Sequence, residues 1–178
     1  MFARTPRLTL RPGWPEDAPA LAAAIGHEAV AARLAHVPWP YDRRDAEAFL
    51  AMPHRSTDAH LLIHAHEGDG PKLVGGIALV ADGAAHELGY WLSPSAWNRG
   101  YATEAGRAMI DIARHALPIR RLTAYPHLDN AASAAVLRKL GFVQTGRAIR
   151  HSRARGAQVD SAVYELDLEA DPGLALAA

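Results

Sequence analysis

The stretch AHELGYWLSPSAWNRGYATEAG, residues 85–106, decides how this chain reads. Residues 85–92 have the length and composition of a strand, and Gly100 marks a turn before a helical pattern. Within TEAGRAMIDIARHA, Ala105, Met109, Ile112 and Ala116 fall on one helical face, and Glu104, Arg107, Asp111 and Arg114 on the other. This spacing predicts an amphipathic helix with charge pairs along its outer side. A helix N-terminus leaves N–H groups unpaired and carries about half a positive charge, so it draws anions wherever the chain lets them approach. Gly100 permits that approach and Ala102 keeps it open, while Thr103 offers a hydroxyl and Arg99 a flanking cation. The phosphate loops G-x-x-x-x-G-K-[ST] and G-x-G-x-x-G are absent, and the stretch has no lysine.

Upstream, RLTLRP at 7–12 alternates as a half-buried strand. WPEDAPALAAAIGHEAVAARL predicts a helical region from about Glu16, with Pro15 and Pro19 near its start and a break at Gly26. VPWPY at 37–41 is a proline-locked aromatic turn, and DAEAFLAM a short second helix. HLLIHAHE and KLVGGIALV read as a hairpin closed by EGDGP. Downstream, RRLTAY is a strand, and DNAASAAVLRKLGF a helix with Asp129 or Asn130 as N-cap, Arg138 and Lys139 in its last turn and Gly141 beyond it. FVQTGRAI and AVYELDL, joined by a basic glycine-containing loop, make a terminal hairpin. The order predicts a mixed α/β fold around one sheet, with a strand–helix–strand crossover in the middle.

The 178 residues fit one domain, expected over 1–170, with 171–178 a frayed tail. Hydrophobic residues make 49% and charged residues 21%, the balance of a globular protein and not of a disordered chain. No apolar run suggests a membrane span, the charged N-terminus does not resemble a secretory signal, and the lack of cysteine suits a reducing cytoplasm. Lys+Arg and Asp+Glu are both 19, so no global field points to nucleic acid, and any anion site must be local. His60, His64 and His66 share a strand face, but nothing completes a metal set, so an exposed outer face and no metal are expected.

ELGYWLSPSAWNRGYATEA followed by RRLTAYPHLDNAASAAVLRKLGF resembles the GNAT acetyltransferase superfamily, in its RimJ/RimL-like branch. The signature [Q/R]-x-x-G-x-[G/A] falls on Trp97 to Ala102, with Trp97 in the place of Gln or Arg. RLTLRP, the pattern N-x-x-S-x-x-x-L-x-K-L-G-F from Asn130 to Phe142, and the closing VDSAVYEL also look like this branch.

The resemblance implies a central, mostly antiparallel sheet with one splayed parallel pair. It implies acetyl-CoA as donor and a primary amine, a protein N-terminus or a small molecule, as acceptor; homodimers are compatible with it. Carried over, Tyr90, Trp91 and Leu92 pair with the pantetheine arm, and the pyrophosphate rests on the N–H groups of Asn98, Arg99, Gly100, Tyr101, Ala102 and Thr103. Asn130 contacts the CoA arm as well as capping its helix. Trp39 and Tyr41 are candidates for the acceptor wall.

Direct transfer needs a neutral amine, so a general base is required, and Glu87 is the candidate. Backbone N–H groups near Tyr90 to Leu92 would polarise the thioester carbonyl. Many members carry a tyrosine seven residues after the asparagine as acid. That place is Leu137 here, which leaves Ser133, a water, or departure of CoA as its thiolate. Two alternatives stand beside the enzyme: a non-catalytic acyl-CoA-binding domain of the same fold, and a nucleotide-binding α/β protein, which the missing phosphate-loop lysine disfavours.

Overall fold

The structure is a computed structural model describing residues 1–53, 55–67 and 70–169. The frayed tail expected at 171–178, and Gly68 and Asp69 in the EGDGP turn, lie outside the described residues. The elements in order are β1 (Ala3–Arg4), β2 (Leu8–Arg11), α1 (Ala18–Ile25), α2 (Glu28–Ala31), α3 (Arg43–Leu50), β3 (Ala59–Glu67), β4 (Gly70–Asp82) and β5 (Ala85–Leu92). They continue with α4 (Tyr101–Ala116), β6 (Arg121–Ala124), α5 (Ala131–Lys139), β7 (Val143–Ser152) and β8 (Ala157–Asp167).

One sheet of eight strands runs in the order β1-β2-β3-β4-β5-β6-β8-β7. All neighbours are antiparallel except β5 and β6, whose parallel pairing covers only His86 with Leu122 and Glu87 with Thr123. Beyond Glu87 the two strands part, while β5 stays paired with β4 as far as Leu92 opposite Gly75. The two neighbours of β5 therefore end at different places, and the gap opens on the β6 side.

Strand alternation sends side chains to two cores. Leu61 and Ile63 join Ala105, Met109 and Ala113 of α4 and Leu137 of α5. Leu62 faces the other way, into a core built from Leu21 and Ile25 of α1, Val30 of α2 and Ala46 of α3. Gly76 belongs to the second face: a Cβ there would lie 2.6 Å from Trp91 Nε1, so the glycine is what lets the indole lie against β4.

Several sequence expectations shift. The buried face of α4 runs through Ala105, Gly106, Met109, Ile110 and Ala113, with Ile112 partly buried against the same core, while Ala116, the last residue of the helix, is exposed. The expected outer charge pairs do not form: Glu104 turns to Arg7, with 2.6 Å between Oε2 and Nη2. His64 is buried and not on an open face, because Arg11 and Asp17 cover it. Burial, helped by the charge of Arg11, holds its imidazole below its ordinary pKa. The α5 cap is Asn130, whose Oδ1 accepts from the Ser133 N–H at 3.2 Å, while Asp129 pairs with Arg155. The terminal strands run longer than expected and absorb Arg150 and His151, so the loop shrinks to residues 153–156.

Candidate active site

Where β5 and β6 part, a cavity of about 490 Å³ passes between the two faces of the sheet. The missing ladder leaves backbone groups of Leu88 to Trp91 without a strand partner on the β6 side. The Leu92 carbonyl is engaged elsewhere, by the Trp97 indole N–H at 2.8 Å.

At one end the cavity meets α4. Gly100 is its N-cap with φ +79°, and Asn98 just before it has φ +59°, so the turn uses the left-handed region twice in three residues. The first helical bond runs from the Glu104 N–H to the Gly100 carbonyl at 3.1 Å. The N–H groups of Tyr101, Ala102 and Thr103 come before it, and all three residues line the cavity. A Cβ on Gly100 would meet only Arg7 Nη2, at 3.4 Å, so the approach to this turn is open. The turn is held from behind: Arg7 Nη1 donates to the Arg99 carbonyl at 2.9 Å, and Arg7 is itself fixed on Glu104.

Tyr90, Trp91 and Leu92, with Asn98, Asn130, Ser133 and Glu87, also line the cavity. Three expected residues stand apart. Arg99 points to Glu67 and over the Tyr101 ring, away from the cavity. Trp39 and Tyr41 do not line it: Trp39 is exposed, and Tyr41 packs beside α1 and α3. Tyr101 contributes backbone only, since its ring is buried in the core under Arg7.

The strand period separates two chemical settings. Tyr90 packs with the α4–α5 core and Trp91 with the opposite one, so Glu87, an even step from Trp91, faces the α1–α3 side. On the α5 side, Tyr90 Oη lies 2.7 Å from Ser133 Oγ and 3.2 Å from the Ser133 carbonyl. Burial pushes the phenol up to about 12, and the Ser133 bond offsets this only in part. On the other side, Glu87 Oε2 accepts from Arg150 Nη2 at 2.8 Å. The guanidinium lies over the Tyr125 ring at 4.2 Å, and the Tyr125 hydroxyl donates to Asp82 at 2.8 Å.

Sequence reasoning missed Arg33, Tyr125, His127, Lys139 and Arg150, all of which line the cavity. Lys139 was legible only as a cation at a helix end. Arg150 carries no local signal, because its partner is 63 positions away. Among the described residues no cluster of three or more His, Asp or Glu fit for a metal occurs, and no helix is long and apolar enough to cross a membrane.

A family model described as the acetyltransferase (GNAT) domain matches residues 7–143. The N-acetyltransferase YoaA of Bacillus subtilis (strain 168), itself uncharacterized, is 31% identical over 101 residues, which is 55% of this chain and 57% of YoaA. The chain spans about half the length of the curated relatives it matches. Among solved structures, RimL, a ribosomal L7/L12 alpha-N-protein acetyltransferase in complex with coenzyme A, superposes with a TM-score of 0.80. It is 22% identical, over 96% of this chain and 100% of that one. RimJ of Mycobacterium smegmatis in complex with CoA-disulfide gives 0.77 at 24% identity, over 93% and 84%. Those two likenesses concern the fold, whereas the family model covers the parted strands, the glycine turn and both flanking helices, and on that match the chain belongs to the GNAT acetyltransferase family.

Proposed function

We propose that this protein moves the acetyl group of acetyl-CoA directly to a primary amine. The observation that carries this is one continuous cavity. It joins an open helix N-terminus, an unpaired strand edge and a carboxylate on the far face of the sheet.

The residues present fit the donor. The N–H groups of Tyr101, Ala102 and Thr103, with the helix dipole, suit a pyrophosphate, and the open β5 edge suits an extended amide-bearing arm. Asn130 and Lys139 border the same space from α5. Acetyl-CoA, when bound, supplies an activated acetyl thioester with a thiol leaving group.

The chain's own residues handle the protons. An alkyl ammonium, with a pKa of about 10, is mostly protonated at neutral pH and cannot attack. Glu87 takes one proton from it, directly or through a water, and the freed nitrogen bonds to the acetyl carbon as the C–S bond breaks. The second nitrogen proton passes to solvent as the amide forms.

At the leaving side Leu137 is buried and brings no hydroxyl, but a phenol comes from the opposite wall. With its pKa near 12, Tyr90 stays protonated and serves as a fixed donor, not a proton source. The Tyr90 hydroxyl donates to the Ser133 carbonyl at 3.2 Å, and with Ser133 Oγ sharing that hydrogen at 2.7 Å the serine's own hydrogen is free for the departing thiolate. The Tyr90–Ser133 pair weakens the case for a non-catalytic acyl-CoA-binding domain, which rested on the missing tyrosine.

The test is titration with CoA and with ADP beside thiol release from acetyl-CoA over a panel of amines and N-terminal peptides. Acceptor-dependent release with CoA binding tighter than ADP is expected. Equal affinity for ADP would favour a nucleotide binder, and tight CoA binding without release would favour the non-catalytic domain.

A further inference from the structure

The acceptor end of the cavity holds its own ion pair. Glu87 and Arg150 meet at 2.8 Å, each side chain 28% exposed, and both line the cavity. Arg150 is clamped from below by the Tyr125 ring, which Asp82 fixes in turn. The fork cannot easily swing aside, so a ligand must contend with both charges. Among the described residues the cavity is unbalanced: Arg33, Lys139 and Arg150 line it against Glu87 alone.

An amine acceptor approaching Glu87 is a cation arriving beside a fixed cation. In a half-buried site that repulsion is only weakly screened. A plain alkylamine has nothing to offset it. An acceptor with a carboxylate close to its amine does: its carboxylate takes the fork of Arg150, its ammonium takes Glu87, and one ion pair is exchanged for two. Because the protein pair is in direct contact, the two charges of the ligand must also lie close together, on the same or neighbouring carbons.

The surrounding chain limits size. The turn between β7 and β8 is tied to the segment after α2 by Ser152 Oγ to the Leu34 carbonyl at 3.2 Å, the Arg153 N–H to the Ala35 carbonyl at 2.8 Å and Arg155 Nε to the Ala32 carbonyl at 2.7 Å. Leu34, Ala35 and Arg150 all border the cavity, so these bonds close a strap across its acceptor side. A small molecule passes such a strap more readily than the end of a folded protein.

We infer that the acceptor is a small zwitterionic amine of the amino-acid class, held by Glu87 through its ammonium and by Arg150 through its carboxylate. The inference rests on the acetyl-transfer reading and narrows it.

Steady-state thiol release from acetyl-CoA is measured with a series of α-amino acids, each beside its carboxamide, its decarboxylated amine and a short peptide beginning with it. The acids are expected to exceed all three by about tenfold or more in kcat/KM, since removing the carboxylate leaves Arg150 facing an uncompensated cation. In Arg150→Gln the acids fall to the level of their carboxamides, mainly through KM, with CoA affinity as the check on folding. Arg150→Lys, which keeps the charge but not the fork, provides the second variant and retains part of the preference. Carboxamides, plain amines or peptides turning over as well as the acids would overturn the inference while leaving acetyl transfer standing. Silence with every acceptor would overturn acetyl transfer itself, and this inference with it.

Discussion

Gly100 carries the backbone at φ +79° where the helix begins, a conformation that glycine adopts freely and other residues resist. Gly100→Glu also puts a carboxylate at the mouth of the turn, and CoA binding by calorimetry is expected to disappear, whereas Gly100→Ala, with strain but no charge, only weakens it. Unchanged affinity in the glutamate variant would remove the turn from the donor site. Glu87→Gln keeps size and polarity but cannot take a proton, so kcat should fall by about 10²–10⁴-fold with CoA affinity intact; wild-type turnover would exclude Glu87 as the base. Tyr90 acts through Ser133, so Tyr90→Phe should lower kcat, leave CoA affinity alone and add nothing to Ser133→Ala. Additive losses in the double variant would mean that the two hydroxyls work separately. Glycine, glutamate and serine were legible because each stands inside a short motif. The Tyr90 hydroxyl was not, since its use depends on α5 packing opposite β5, 43 positions on.

At the scale of elements, the N-terminal strands brace the glycine turn through Glu104. Burial raises its carboxyl pKa, and the bonds from Thr5 and Arg7 more than reverse this, leaving it below the ordinary value of 4.5. A carboxylate depressed in the folded state contributes stability that is full above the unfolded value and lost as pH falls through the folded one. Between about pH 5 and about pH 2, wild type should therefore lose more thermal stability than Glu104→Gln, and equal acid slopes in the two proteins would contradict the brace. The sequence placed Glu104 on a solvent face with Arg107 and Asp111, a fair inference from helical period alone. The period does not show that an arginine 97 positions earlier folds back onto it. β5 was legible to the residue, Ala85–Leu92, because AHELGYWL stands as a strand-length segment between Gly83 and Pro94. β7 and β8 were underestimated because Arg150 and His151 look like loop residues, yet both pair in the ladder.

For the whole molecule, one sheet between two cores makes the cavity possible. The succession of most strands and helices along the chain was readable from the alternation of patterns, but the place where β5 and β6 separate is set by tertiary packing and was supplied by family resemblance. Leu122 sits fully buried opposite His86, one step before the final pair of Glu87 with Thr123, after which the strands part. Leu122→Ala should cost about 2–5 kcal/mol in urea unfolding, and a loss well under 1 kcal/mol would mean that the base of the splay is not held by this packing. The cavity also joins both faces of the sheet, so donor and acceptor can meet without a covalent enzyme intermediate, and the chain offers no cysteine to form one. Rapid-mixing thiol release from acetyl-CoA, with and without an amino-acid acceptor, addresses that directly. Release that waits for the acceptor and then runs without a burst is the predicted result; a burst stoichiometric with enzyme in the absence of acceptor, or no release under either condition, would contradict direct transfer in this cavity.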